Sequence, residues 1–110
     1  MDKQLLVYMT PWCPDCRHVQ EALAEWGVPA RYVNISRDPA AAARVRALTG
    51  FESVPTLVAV DGDGFDPIEP PAALPAQRGP RGLDRGSVIT EPSTDQLRAW
   101  LIKHGWLKSK

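Results

Sequence analysis

The chain has no excess of either charge: thirteen Lys and Arg stand against thirteen Asp and Glu in 110 residues. It therefore carries no electrostatic footprint for nucleic acid or an anionic membrane surface. Long apolar runs are also missing. The stretch Leu5 to Met9 is too short for a membrane span or a secretory leader, and a cytoplasmic protein is the expectation. Cysteine is scarce, Cys13 and Cys16 being the only two. In a reducing cytosol a lone close pair is more often catalytic or metal-binding than a staple. A structural zinc ion wants four ligands, and the other thiol-compatible donors are only His18 and His104. His18 lies on the flank of the same predicted helix as Cys16, turned from the sulfurs, and His104 is near the end of the chain's last predicted helix. They are read as an exposed helix residue and a cation at a helix C-terminus, with no metal expected.

What is present suits one domain spanning 1–110, with 44% apolar and 24% charged residues. Residues 4–9 (QLLVYM) have the brevity and β-branched content of a buried strand. From Pro14 the period becomes helical, with Val19, Ala22, Leu23 and Trp26 on one face and Gly27 as the stop. Residues 30–35 read as a second strand. Asp38 and Pro39 open a second helix through the alanines to Leu48, stopped near Gly50. This βαβ unit requires two parallel strands. Strands at 56–60 and 87–90 follow, and Ser93 with Gln96 forms a capping box ahead of a helix whose Leu97, Trp100 and Leu101 face inward.

Residues 62–86 interrupt this pattern with five prolines and five glycines, a composition that excludes a helix or a central strand. They read as a mobile surface insertion. Strand directions place its start at the pole opposite the cysteines, and no apolar periodicity drives it back against the ordering entropy. It is expected to stay there, with Arg78, Arg81 and Arg85 serving, if anything, a macromolecular partner.

The cysteine spacing itself suits redox chemistry. Cys13 falls at the N-cap of the first predicted helix, where unpaired N–H groups and the macrodipole favour a thiolate; Cys16 lies one turn inward, shielded, able to attack a mixed disulfide formed at Cys13. Asp15 between them adds a carboxylate that opposes the dipole. Trp12 stands beside the nucleophile, either stacking on a substrate or shielding the sulfur. Far downstream, Val54-Pro55-Thr56 immediately precedes a strand, where a cis X-Pro bond would expose the Val54 backbone to a substrate.

A strand, MTPWCPDCRH, a helix and then SVPTL before a strand together resemble the glutaredoxin family of the thioredoxin fold, over residues 4–104 apart from the insertion. The resemblance implies an α/β fold with a four-stranded mixed sheet in order 2-1-3-4, flanked by three helices. It also implies thiol–disulfide exchange on protein disulfides or on mixed disulfides of a low-molecular-weight thiol, with Cys13 as nucleophile, Cys16 resolving and cis-Pro55 beside them. No bound cofactor is implied; the thiol is a co-substrate, of mycothiol or glutathione type, and the protein is expected to be a monomer. Thr10 stands where glutathione-using members commonly carry lysine, and TEPSTD (90–95) where they carry Gly-Gly-x-Asp. Val54-Pro55-Thr56, the Asp61-Gly62 pair after the third strand and TEPSTDQL (90–97) look more like the mycoredoxin branch. In either branch Ser93, Thr94 and Asp95 would offer backbone N–H groups to a ligand. Two other readings share the sequence: an electron donor fed by thioredoxin reductase, as for ribonucleotide reductase, and a non-enzymatic module binding a partner or an iron–sulfur cluster.

Overall fold

The computed structural model describes residues 3–74 and 79–108, so Arg78 lies outside the described residues. The elements are β1 (Lys3–Met9), α1 (Pro14–Glu25), β2 (Arg31–Asn34), α2 (Pro39–Thr49), β3 (Thr56–Asp61), β4 (Val88–Thr90) and α3 (Thr94–Lys103). Helix starts follow local chemistry. Cys13, Asp38 and Ser93 are the N-caps, the first two are each followed by proline, and Ser93 completes the capping box with Gln96.

The four strands form one sheet in the order β2-β1-β3-β4, with β1 parallel to β2 and β3 antiparallel to both of its neighbours. This is the expected α/β, thioredoxin-like topology. Both faces of β1 are covered, which is why it reads as a continuous apolar run rather than an alternating one. Leu5 and Val7 join Val19, Leu23, Leu97, Trp100 and Leu101 on the side of α1 and α3, while Leu6 and Tyr8 join Ala41, Ala42 and Val45 on the side of α2. Trp26 and Trp106 pack at the border of the first cluster. The register pairs Tyr8 with Thr56 and Thr56 with Thr90. One end of the sheet thus gathers the loop after β1, the loop before β3 and the turn before α3.

The path of the insertion corrects the sequence expectation. It leaves β3 at the far pole and then returns along the outer edge of the sheet. Ile68 N–H donates to Ala59 O at 2.9 Å and Pro67 bridges Val60, covering the part of β3 that short β4 does not reach. Arg81 and Asp84 bridge Thr90 and Ile89, Gly82 N–H donates to Thr90 O at 2.6 Å, and Arg85 N–H donates to Val88 O. Arg85 is 7% exposed; its Nε donates to Ala72 O and its Nη1 to Leu48 O. Apolar periodicity was therefore the wrong signal to require. The returning chain is held by unpaired groups on a sheet edge and by one buried guanidinium, and its prolines reduce the entropy that ordering costs.

The expectation for His104 also changes. The ring lies 4.5 Å from that of Trp100 and 5.6 Å from that of Trp106, and its Nε2 is 2.8 Å from Gly86 O. Burial lowers its pKa, aided by Lys3 and Lys103 and opposed by the Gly86 contact and Asp84. A carbonyl can only accept, so Nε2 carries the proton and the neutral ring is a packing element rather than a capping cation.

Candidate active site

Cys13 sits at the N-cap of α1 with extended backbone angles, φ −81° and ψ 117°, and its N–H donates to Thr10 O at 3.3 Å. The Cys16 N–H donates to Cys13 Sγ at 3.2 Å. This is the usual geometry of a helix-capping side chain, with sulfur in place of oxygen, so a first-turn N–H is aimed at the atom that would carry negative charge. Cys13 is partly exposed while Cys16 is 3% exposed, and both are free thiols. Burial, then the contact with Cys13, pushes the Cys16 thiol up to about 12, a backbone contact with Thr10 opposing. The two sulfurs are thus unequal. One is reachable and solvated by a helix end; the other is held protonated beneath it.

The loop before β3 supplies the opposite wall. The Val54–Pro55 peptide is cis, and Cys13 Sγ lies 3.8 Å from Val54 O. Thr56 is fully buried and its Oγ1 donates to Ser53 O at 2.8 Å, tying this loop to the start of the strand. Pro55 O accepts the Glu91 N–H at 2.8 Å, which links the loop to the turn before α3. Trp12 is 70% exposed beside Cys13, and Phe51 is 61% exposed on the loop that leads to Val54.

Thr10 is buried, so its carbonyl rather than its side chain serves the motif. Ser93 is engaged in the capping box, its N–H donating to Gln96 Oε1 and its Oγ accepting from Gln96 N–H. The first-turn N–H groups of Thr94 and Asp95 have no intrahelical acceptor. Thr94 borders a cleft of about 490 Å³ lined also by Asp15, His18, Arg81, Glu91 and Ser93, among others, whereas Asp95 does not line it.

Three residues of this cleft were not singled out for the site by sequence reasoning. His18 Nε2 lies 2.5 Å from Thr94 Oγ1, joining α1 to the start of α3. Glu91 adopts a left-handed conformation, φ 47°, uncommon for a residue with a side chain, and its carboxylate pairs with Arg81. Arg81, carried back by the insertion, also stands 3.6 Å from Asp15, inside the Cys-Pro-Asp-Cys motif. No sequence signal marked these three, because each contact joins segments whose proximity depends on the insertion's path or on the packing of α1 against α3. Among the described residues no group of three or more His, Cys, Asp or Glu is arranged to hold a metal ion, and no helix is long and apolar enough to cross a membrane.

No curated protein matches the chain. The family model described as Glutaredoxin matches residues 5–65, more than half of the chain, taking in both cysteines, the cis-proline and, but for Lys3 and Gln4, the first three strands. A sheet in order 2-1-3-4, a helix-capping thiol with a second thiol one turn below it and this match agree, and the chain belongs to the glutaredoxin family.

Proposed function

We propose that the protein is a thiol–disulfide oxidoreductase that reduces protein disulfides, or mixed disulfides between proteins and a low-molecular-weight thiol, through the Cys13-Pro14-Asp15-Cys16 pair. The observation that carries this reading is the asymmetry of the two sulfurs: Cys13 is partly exposed and receives a first-turn N–H, while Cys16 is buried and protonated. In the first step the Cys13 thiolate attacks one sulfur of the substrate, forming a Cys13 mixed disulfide as the other sulfur leaves as a thiolate and takes a proton from solvent. In the second, either a small thiol or Cys16 attacks Cys13 Sγ. The Cys16 route loses its own proton, releases the bound thiol and leaves a Cys13–Cys16 disulfide for reduction by the small thiol or a reductase.

The hydrogen bond and the negative charge at Cys13 both help to keep Cys16 protonated. The charge is lost once Cys13 is in a mixed disulfide and its sulfur becomes a weaker acceptor, so the resolving thiol becomes easier to ionise at the moment it is needed. The mycothiol-linked branch is the finer assignment we favour, on Val54-Pro55-Thr56, the Asp61-Gly62 pair and the TEPSTDQL segment. Val54, Pro55 and Trp12 are proposed to meet the substrate beside the nucleophile, and Ser93 and Thr94 to meet the small-thiol moiety from the cleft, with Asp95 at the same helix start but outside the cleft lining.

Turnover against small-thiol mixed disulfides, with glutathione, mycothiol and bacillithiol in separate arms and thioredoxin reductase with NADPH in a fourth, tests the proposal. Cys13→Ser should abolish all activity. Cys16→Ser should retain reduction of small-thiol mixed disulfides and lose reduction of protein disulfides. Equal loss in both variants on a small-thiol mixed disulfide would reject the one-cysteine route.

A further inference from the structure

We propose that Arg81, delivered by the insertion, is a positioning residue for the redox pair: its guanidinium holds and screens Asp15 and thereby favours the reduced form of the Cys13–Cys16 couple. The inference rests on the oxidoreductase reading above and adds a role for a segment most of which, Arg81 included, lies beyond the residues matched by the family model. Three observations converge on it. Arg81 is fixed by backbone, since it bridges Thr90, and the following Gly82 donates to Thr90 O. Gly82 takes φ +70°, and a Cβ there would stand 2.9 Å from Gln96 Oε1, so the strap lies close against the capping box of α3. The side chain is then gripped by Glu91, itself held in a left-handed conformation and tied through its N–H to Pro55 O. A guanidinium anchored in this way reaches Asp15 at 3.6 Å, across the mouth of the cleft.

The electrostatic consequence has a definite sign. Oxidation removes two electrons and the Cys16 proton from the pair, forming the S–S bond, while a reference disulfide takes the electrons and, with a second proton from solvent, leaves as two thiols. Negative charge on Cys13 exists only in the reduced form. The Asp15 carboxylate disfavours that charge and a cation beside Asp15 offsets it. Arg81 therefore raises the reduction potential, and its loss lowers it. The ion pair is exposed on both sides, with 67% and 56% of the two side chains open to solvent, so the effect is moderate and sensitive to salt.

The test is the redox equilibrium of the full chain against a dithiothreitol couple at low ionic strength. Arg81→Gln should shift the equilibrium about threefold toward the protein disulfide, which is about 14 mV for a two-electron couple. Arg81→Lys should restore most of the wild-type value, and Asp15→Asn should shift the equilibrium the other way. Molar salt should narrow the difference between wild type and Arg81→Gln, because it screens the Asp15 repulsion and the Arg81 attraction together, whereas a purely structural role would leave the difference unchanged. A difference between Arg81→Gln and wild type that persists in molar salt, or an Arg81→Gln protein that equilibrates as wild type does, would overturn this inference and leave the oxidoreductase reading intact. A wild-type protein that does not exchange with the couple at all would overturn both.

Discussion

Cys16 should be nearly inert to alkylation in the folded, reduced protein, by an amount that follows from its surroundings. Its pKa rises from 9.0 to about 12, first through burial and then through the contact with Cys13. Three units of pKa mean roughly a thousandfold less thiolate at pH 7.5 than in the unfolded chain. A more basic thiolate is also a better nucleophile, and a Brønsted coefficient of about 0.4–0.5 offsets roughly 15- to 30-fold of that. Folding should therefore slow the reaction by about 30- to 60-fold from ionisation alone, and poor access adds to it at 3% exposure. Iodoacetamide labelling at pH 7.5, followed by peptide mass spectrometry in native buffer and in urea, measures the ratio directly. Cys13→Ala should narrow the gap without closing it, because burial, the largest cause, remains. A native Cys16 labelled within about fivefold of the unfolded rate would refute the reasoning.

Arg85→Ala removes the two hydrogen bonds to Leu48 O and Ala72 O and should lower stability by about 2–3 kcal/mol in urea unfolding. Replacing 63–85 with a short Gly-containing turn should destabilise the fold and alter turnover on small-thiol mixed disulfides, since Arg81 leaves the cleft with it; a protein with unchanged melting and kinetics would argue against the strap's role. His104 has a folded pKa below its ordinary 6.5, so the unfolded chain binds more protons and stability is present above that pH and lost as pH falls through the folded value. Thermal melts of wild type and His104→Gln across this range should show a decline in the first that is flatter in the second.

The parts of the molecule legible in sequence are those specified by neighbours in sequence. The caps at Cys13, Asp38 and Ser93 fell where expected, because a cap is a local arrangement of side chain and backbone. Buried strands were found to within a residue or two, since the apolar runs that form them are uninterrupted. Even the depth of Cys16 followed from its place one turn inside a helix whose next turns carry Val19 and Leu23. The insertion failed because its order comes from pairings made at a distance. Arg85 looks like any loop arginine until Leu48 O and Ala72 O are brought to it. Strand direction correctly placed the start of the segment, but the unpaired edge of β4 to which it returns exists only in the assembled sheet. His104 failed for a similar reason, its ring environment coming from Trp100 and Trp106 around a helix end rather than from the helix end itself.

The covered border of the sheet has a further consequence for self-association. A sheet recruits another chain through a strand with unpaired backbone groups, and proteins that expose a long one risk aggregation. Here Pro67 and Ile68 occupy the end of β3, and Arg81 to Arg85 occupy β4. Among the described residues this leaves β2 as the open border, only four residues long and ending beside the polar turn at Asn34. Removing the strap would uncover a second and more apolar border, with Val88 and Ile89 among its residues. Concentration-dependent clumping of a shortened protein would then be a defect created by the deletion, one that the insertion holds off in the intact chain.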